Sequence, residues 1–552
     1  MIDFRKNSKS LWASWFAVIV FFIVFIGFPL FCVLGAAKPA DFQKVFSSNI
    51  WHEAMKNTLF ECVCSSLLSV FIGYVFAFAV VKANLPFKKF FAFMPVIHLM
   101  TPPFVGGLSF ILLLGRRGFI TYKLLGLNIS LYGFWGLLIA QTLCFFPMAY
   151  LICLQSLLGI NPNLEKAAKS MGAGYGRIFL TITLPLSFSG ILGALLFVAV
   201  NVLSDFGNPL IVAGRFRVLA VEIYTQLTGW LNVGTSAVLG IVLVIPSVLL
   251  FLIQNRMMKR SMKKGAAFGG KDGGFLPKLF QRITANQKDS EKSVSLFANI
   301  LLFIFVLFIS ACVIAQFSSI VAGSFQKLWG INTEFTLEHI KSLERYILGL
   351  KNSIGFALIA AVMSTIVALF SSYMVHRTNV PLRKTIDSIA QLPSAIPGSL
   401  LGLSLSIAAT KLHFRASSVL IVMAMTVSFM PFSYRVISQS LIGVKTTLDD
   451  AARSLGANPV KTLFSVLLPS IEKGVYCGFM YDFIRGAGTL SSVIFLVSFK
   501  TPLASINIVN LAEQGDWGKS AALAMVLTLL TFLILGVSYG IVEIRKHIVR
   551  LR

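Results

Sequence analysis

Two short segments carry the residue types best placed to act on something outside the chain. One reads Leu164-Glu165-Lys166-Ala167-Ala168-Lys169-Ser170-Met171-Gly172-Ala173, followed by Ile182-Thr183-Leu184-Pro185. The other reads Leu448-Asp449-Asp450-Ala451-Ala452-Arg453-Ser454-Leu455-Gly456-Ala457, followed by Val466-Leu467-Leu468-Pro469 at the same internal spacing. Each predicts a short helix. Asn161-Pro162-Asn163 and Thr446-Thr447 are N-cap candidates, Pro162 suits a first turn, and Thr447 with Asp450 has capping-box spacing. Asp450 reads either as a cap alone or as a cap that also makes an external contact. Glu165 with Lys169 and Asp449 with Arg453 are acid-then-base pairs at i,i+4, worth about 0.2–0.5 kcal/mol each. The Ala-Ala pair and the following glycine leave a surface with little side-chain bulk, so another protein can approach the backbone. The chemistry is docking, not bond making.

A second set lies inside apolar runs, where ionisable groups are costly and call for a reason. Asp482 and Arg485, three residues apart, are expected to pair; with Asp205 they either line a pathway or serve internal helix packing. Arg435 is expected to snorkel from the end of its span. Catalytic sets are missing. Gly515-Asp516-Trp517-Gly518-Lys519-Ser520 ends like a phosphate loop, but its glycines are two residues too close. The chain is therefore expected to hold no ATP site and no cofactor of its own, and not to be an enzyme. The six histidines are dispersed, and Cys62-x-Cys64 has neither zinc nor thioredoxin spacing, so the seven cysteines read as small hydrophobes.

The elements that hold these groups are membrane spans. Of 552 residues 56% are apolar and 12% charged, and mean hydropathy is +0.82, which excludes a soluble globular protein. Runs long enough to cross a bilayer fall near 11–35, 58–81, 90–114, 131–157, 187–204, 236–254, 294–322, 352–375, 388–410, 417–442, 474–499 and 519–543. The expected fold is all-α and polytopic, with about twelve transmembrane helices. The run from Leu11 to Leu34 exceeds a signal-peptide core and reads as a retained first helix. The net charge of +27 would suggest a nucleic-acid partner in a soluble chain. Here it marks cytoplasmic loops: the N-terminal tail, Lys82/Lys88/Lys89, the linker 255–293, Arg377/Arg383/Lys384 and the C-terminal tail all fall on one side. Both termini are then cytoplasmic, and Arg116, Arg117 and Lys123 are the exception.

The twelve runs divide into two related sets, 1–254 and 294–552, joined by the basic linker 255–293. Asn57 matches Asn352, and Pro86-Phe87-Lys88-Lys89 matches Pro381-Leu382-Arg383-Lys384, at an offset of 295; from Pro147/Pro431 through Pro185/Pro469 the offset is 284. The 11 extra residues of the first half are expected in the outer loop around 115–130. Six spans per half make the repeats parallel, with a pathway between them. Pro95, Pro102, Pro103, Pro393 and Pro397 are expected to kink or break the third span of each half.

At this point the sequence resembles a known family. Glu/Asp-Ala-Ala, three residues, Gly, nine residues, then a hydrophobic-x-Leu-Pro ending is similar to the signature of permease subunits of binding-protein-dependent, type I ABC importers, here in a fused two-half form. The resemblance implies that Ala167, Ala168 and Gly172, with Ala451, Ala452 and Gly456, form contact surfaces of two coupling helices. It also implies that Leu184-Pro185 and Leu468-Pro469 end each loop at the next span. The acidic position is Asp450 in the second copy but Lys166 in the first, where Glu165 is the available substitute. The implied partners are two copies of an ABC ATPase carrying ATP and Mg, a periplasmic or lipid-anchored solute-binding protein and the lipid bilayer of the cell inner membrane, with no nucleic acid. Ser204-Asp205-Phe206-Gly207-Asn208-Pro209 and Gly488 through Val497 resemble the ferric-iron branch, although phosphonate, sugar-phosphate and polyamine permeases share the architecture. A major-facilitator secondary transporter is the rival of another class; its Gly-Asp-Arg motif is missing from Val81–Lys89.

Overall fold

The computed structural model describes residues 9–99, 101–102, 104–127, 129, 131–263 and 294–551. Most of the basic linker, the first eight residues and Pro103 therefore lie outside the described residues. The first half contains α1 (Leu11–Ala36), α2 (Asn49–Lys82), α3 (Lys88–Leu99), α4 (Phe104–Leu114), α5 (Phe134–Leu158), α6 (Pro162–Ser170), α7 (Tyr175–Ser204) and α8 (Val233–Lys263). The second contains α9 (Leu296–Phe325), α10 (Ile347–Arg377), α11 (Arg383–Gln391), α12 (Gly398–Lys411), α13 (Ser417–Gly443), α14 (Thr447–Ser454), α15 (Pro459–Ser470), α16 (Glu472–Ala487) and α17 (Trp517–Leu551). Among the described residues one antiparallel hairpin, β1 (Gln326–Leu328) with β2 (Asn332–Phe335), stands beside the helices, with Gln326 opposite Phe335.

Among the described residues nine helices are long and apolar enough to cross a membrane, or eleven when two bent pairs are counted as spans. The twelfth expected span, 90–114, is divided into α3 and α4 by the segment that contains Pro102. Its counterpart is broken between α11 and α12 by 108°, at Pro393 and Pro397. Proline removes a backbone donor and clashes with the preceding turn, so both breaks sit where the sequence places these residues. The connection from α4 to α5 spans 115–133 and contains, among its described residues, a π-helical turn, Phe119–Leu124, whereas the second half makes the same connection, α12 to α13, in 412–416. The insertion falls where the change of offset places it.

In each half three helices form the core: α2, α5 and α7, and α10, α13 and α16. Small residues let them approach. A Cβ on Gly73 would stand 2.7 Å from Ala149, and Gly190 against Ser156 has its repeat counterpart in Gly474 against Ser440. The first helix of each half lies against the other half. Trp15 on α1 donates Nε1–H to the Pro381 carbonyl at 3.1 Å, and α1 packs on α12. Reciprocally, Asn299 on α9 accepts from the Asn84 amide at 2.8 Å, and α9 packs on α4. The outward faces are apolar, for example Phe31, Phe297 and Leu533 at 71%, 79% and 61% exposure, as lipid contact requires.

Candidate functional site

The short helix α6 lies between α5 and α7, and α14 between α13 and α15, and each is tied inward by one acid. Glu165 accepts from Lys82 Nζ at 2.6 Å and from Thr183 Oγ1 at 2.9 Å. Asp449 accepts from Arg377 Nη1 at 2.7 Å, while Arg377 Nη2 donates to the Leu441 and Val444 carbonyls at 2.5 and 2.6 Å. Lys82 and Arg377 are the last residues of α2 and α10 and stand at the repeat offset of 295; Glu165 and Asp449 stand at 284. The same acid-to-base tether thus occurs twice, joining a short surface helix to the end of a core span. Burial pushes the Asp449 carboxyl above its ordinary 3.8, with Arg377 opposing the shift. These two acids therefore turn into the protein, and Asp450 is the acid that remains exposed. The expected i,i+4 partners, Lys169 and Arg453, are replaced in this role by bases more than 70 residues distant in sequence, which no local pattern reveals.

Each helix divides its alanines between two faces. Ala167 and Ala451 are exposed, whereas Ala168 and Ala452 are buried at 7% against the chain itself. The exposed faces also carry Leu164 and Met171, and Leu448 and Leu455, with Lys166 beside Ala167 in the first copy. Gly172 and Gly456 have φ of +83° and +77°, and nothing lies within 4 Å of a Cβ at either position. Both sit in Schellman caps: Gly172 N–H donates to Lys169 and Ala173 N–H to Ala168, and Gly456 to Arg453 and Ala457 to Ala452, all at 2.9–3.0 Å. Left-handed backbone, more than small size, explains these glycines. Asn161 caps α6 through the Asn163 amide at 3.0 Å. Thr446 precedes α14 without a side-chain cap, so the expected Thr447/Asp450 capping box is not formed and Asp450 is no cap.

Leu184-Pro185 and Leu468-Pro469 were expected where the loop meets the next span. The helix instead starts at Tyr175, and a π-turn, Phe179–Thr183, carries it through Pro185 to Ser204. The repeat-equivalent π-turn Leu463–Leu467 precedes Pro469, but there the chain then bends 82° between α15 and α16. A π-turn accommodates a proline whose nitrogen cannot join the regular ladder.

The intramembrane charges separate. Asp482 is 2% exposed and accepts from Ser364 of α10 and, at 2.6 Å, from Ser433 of α13. It forms no ion pair with Arg485 among the described residues, contrary to the expected pairing, because the two hydroxyls lie on the neighbouring core helices. Asp205 and Arg485 instead line a cavity of about 160 Å³ between the halves, and Asp482 does not. Asp205 Oδ2 accepts from Gln141 at 3.0 Å and Asn208 at 2.9 Å. Arg435 also lines the cavity: its Nη2 donates to Ser394 at 3.2 Å and its guanidinium lies over Phe251, so it turns inward and does not snorkel. No cluster of three or more metal-ligating side chains occurs among the described residues.

Residues 69–264 and 364–545 match the binding-protein-dependent transport system inner membrane component family. The ferric transport system permease protein FbpB of Actinobacillus pleuropneumoniae is 27% identical over 550 residues, covering 95% of this chain and 77% of that protein. The putative ferric transport system permease protein FbpB 1 of Haemophilus influenzae is 27% identical over 525 residues, 90% of this chain and 79% of that protein. A shorter similarity, 30% over 168 residues, covers 29% of this chain and 73% of the molybdenum transport system permease protein ModB of Escherichia coli K12. With both tethered helices inside the matched segments and more than half of its length matched, the chain belongs to the binding-protein-dependent transport system inner membrane components, as a multi-pass ABC permease with two fused halves.

Proposed function

We propose that the chain is the permease of an ATP-driven importer of ferric iron, with one ATPase subunit docked on each of α6 and α14. The two halves, 1–254 and 294–552, act together across the linker 255–293, and both termini lie in the cytoplasm. ATP and Mg belong to the partner, and a periplasmic or lipid-anchored solute-binding protein delivers the solute to the outer face. The supporting observation is the repeated tether. An ion pair from each short helix to the end of a core span carries a push on that helix into the bundle, and its presence at repeat-equivalent positions supplies one input per half. The exposed faces around Ala167/Leu164 and Ala451/Leu448 are the contact surfaces, with Asp450 facing the partner only in the second copy. Iron is favoured over other solutes because the chain-long relatives are named ferric permeases.

The test is uptake of radiolabelled ferric iron into vesicles containing the chain, an ABC ATPase and a ferric-iron-binding solute-binding protein. ATP-dependent accumulation is expected, and cysteines placed at Ala167 and Ala451 should cross-link to the ATPase. Uptake driven by a proton gradient without any ATPase would overturn the reading in favour of a secondary transporter.

A further inference from the structure

The cavity between the halves has an electrostatic character at odds with a bare metal cation. Its acidic and basic lining groups among the described residues are Arg435, Arg485 and Asp205, two bases against one acid. The acid is already engaged, since both Gln141 and Asn208 donate to Asp205 Oδ2. The bases are engaged only in part: Arg435 Nη2 donates to Ser394 at 3.2 Å and its guanidinium lies over Phe251. Arg485 has no hydrogen bond or ion pair among the described residues, and its Nε and that of Arg435 are buried without a partner. The Ser428 hydroxyl, also on the lining, is likewise buried and unpartnered. A buried polar group without a partner is costly, and guanidinium forks are matched to the paired oxygens of carboxylates and phosphates. The volume, about 160 Å³, exceeds by an order of magnitude the roughly 10–15 Å³ that one water needs.

We infer that this cavity is an oxyanion site, in which Arg435, Arg485 and the Ser428 hydroxyl hold phosphate or carboxylate oxygens between the two halves. Resting on the ferric reading above, iron crosses here as an anion-capped complex whose ligand oxygens meet the arginines. A bare ferric ion would meet net positive charge.

The experiment is equilibrium binding of radiolabelled inorganic phosphate and, separately, radiolabelled citrate to the full chain in lipid nanodiscs. Saturable binding of at least one is expected; phosphate alone identifies a small inorganic oxyanion, citrate alone a carboxylate chelator. Arg435→Gln combined with Arg485→Gln should weaken binding by about tenfold or more. Asp205→Asn keeps an acceptor for Gln141 and Asn208 but removes the opposing charge, so it should tighten binding, a gain that misfolding cannot imitate. Absence of saturable binding of either anion, unchanged affinity in the double variant, or weaker binding in Asp205→Asn would each overturn the site. Intact anion binding without any iron uptake would defeat the ferric assignment alone.

Discussion

The two tethered helices are the same device built with different strength. In the first half Lys82, a single ammonium, meets Glu165, with side chains 10% and 14% exposed. In the second, Arg377 meets Asp449 at 3% and 7%, and its second nitrogen closes the carbonyl end of α13 through Leu441 and Val444. Arginine's fork serves a carboxylate and two carbonyls at once, which a lysine cannot do in one fixed geometry. The two cores also place their buried polar groups differently. Asp482, Ser364 and Ser433 join α16, α10 and α13, whereas the repeat positions in the first half are Val198, Ser69 and Ala149. Duplication therefore preserved the plan of the tether and left its strength free to diverge, so the halves need not respond equally to a push on their helices.

The largest expected effect breaks the stronger tether. Arg377→Ala leaves Asp449 buried and two carbonyls orphaned, a loss of about 3–5 kcal/mol; the thermal unfolding temperature in detergent should fall sharply. An unfolding temperature equal to wild type would show that the pair is not what holds α14. Next is Asp482→Val, which copies the first half but strands two buried hydroxyls, at about 1–3 kcal/mol. Adding Ser364→Ala and Ser433→Ala should recover most of that loss in the same unfolding measurement. Lys82→Gln in the partly exposed tether should cost less than Arg377→Ala, on the order of 1–2 kcal/mol. Equal losses would erase the contrast between the halves.

Gly172→Ala and Gly456→Ala force an L side chain into left-handed backbone, so each should cost about 1–2 kcal/mol by the same amount in both halves. A Cβ is open to solvent at either site, so a larger loss of coupled ATPase activity in one variant would locate an asymmetric partner contact. The smallest effect is in pH. The Asp449 carboxyl titrates above its ordinary 3.8 in the folded protein, so its contribution is present below that value and is lost as pH rises through the raised one. Asp449→Asn should flatten this slope in stability measured against pH, and an unchanged slope would assign it elsewhere.

Much of this plan is legible from residue order. The spans, the duplicated loops and the proline breaks follow from apolar run length, repeat offset and the missing proline donor, all local properties. The tethers were not, although one signal was available: a base at 82 and 377 and an acid at 165 and 449 keep their charge type across the repeat. Spacing alone suggested i,i+4 partners because burial is invisible there, and only burial makes the distant base the better partner. The glycines illustrate a different limit. Their type was clear from the motif, but small size and positive φ predict the same letter. Helical spacing pairs Asp482 with Arg485, whereas the hydroxyls that hold it come from two other helices.

The exchanged first helices bear on how the chain is made. Between Ala36, at the end of α1, and Gly398, where its partner α12 begins, lie roughly 360 residues, which at about 5–20 residues/s take on the order of 20–70 s to synthesise. For that interval α1 must wait in the bilayer without its final neighbour, and the first half likewise lacks α9. The ribosome thus delivers an unfinished bundle whose completion is an event of late translation, and a chain interrupted in the linker would leave both parts with unclaimed seats.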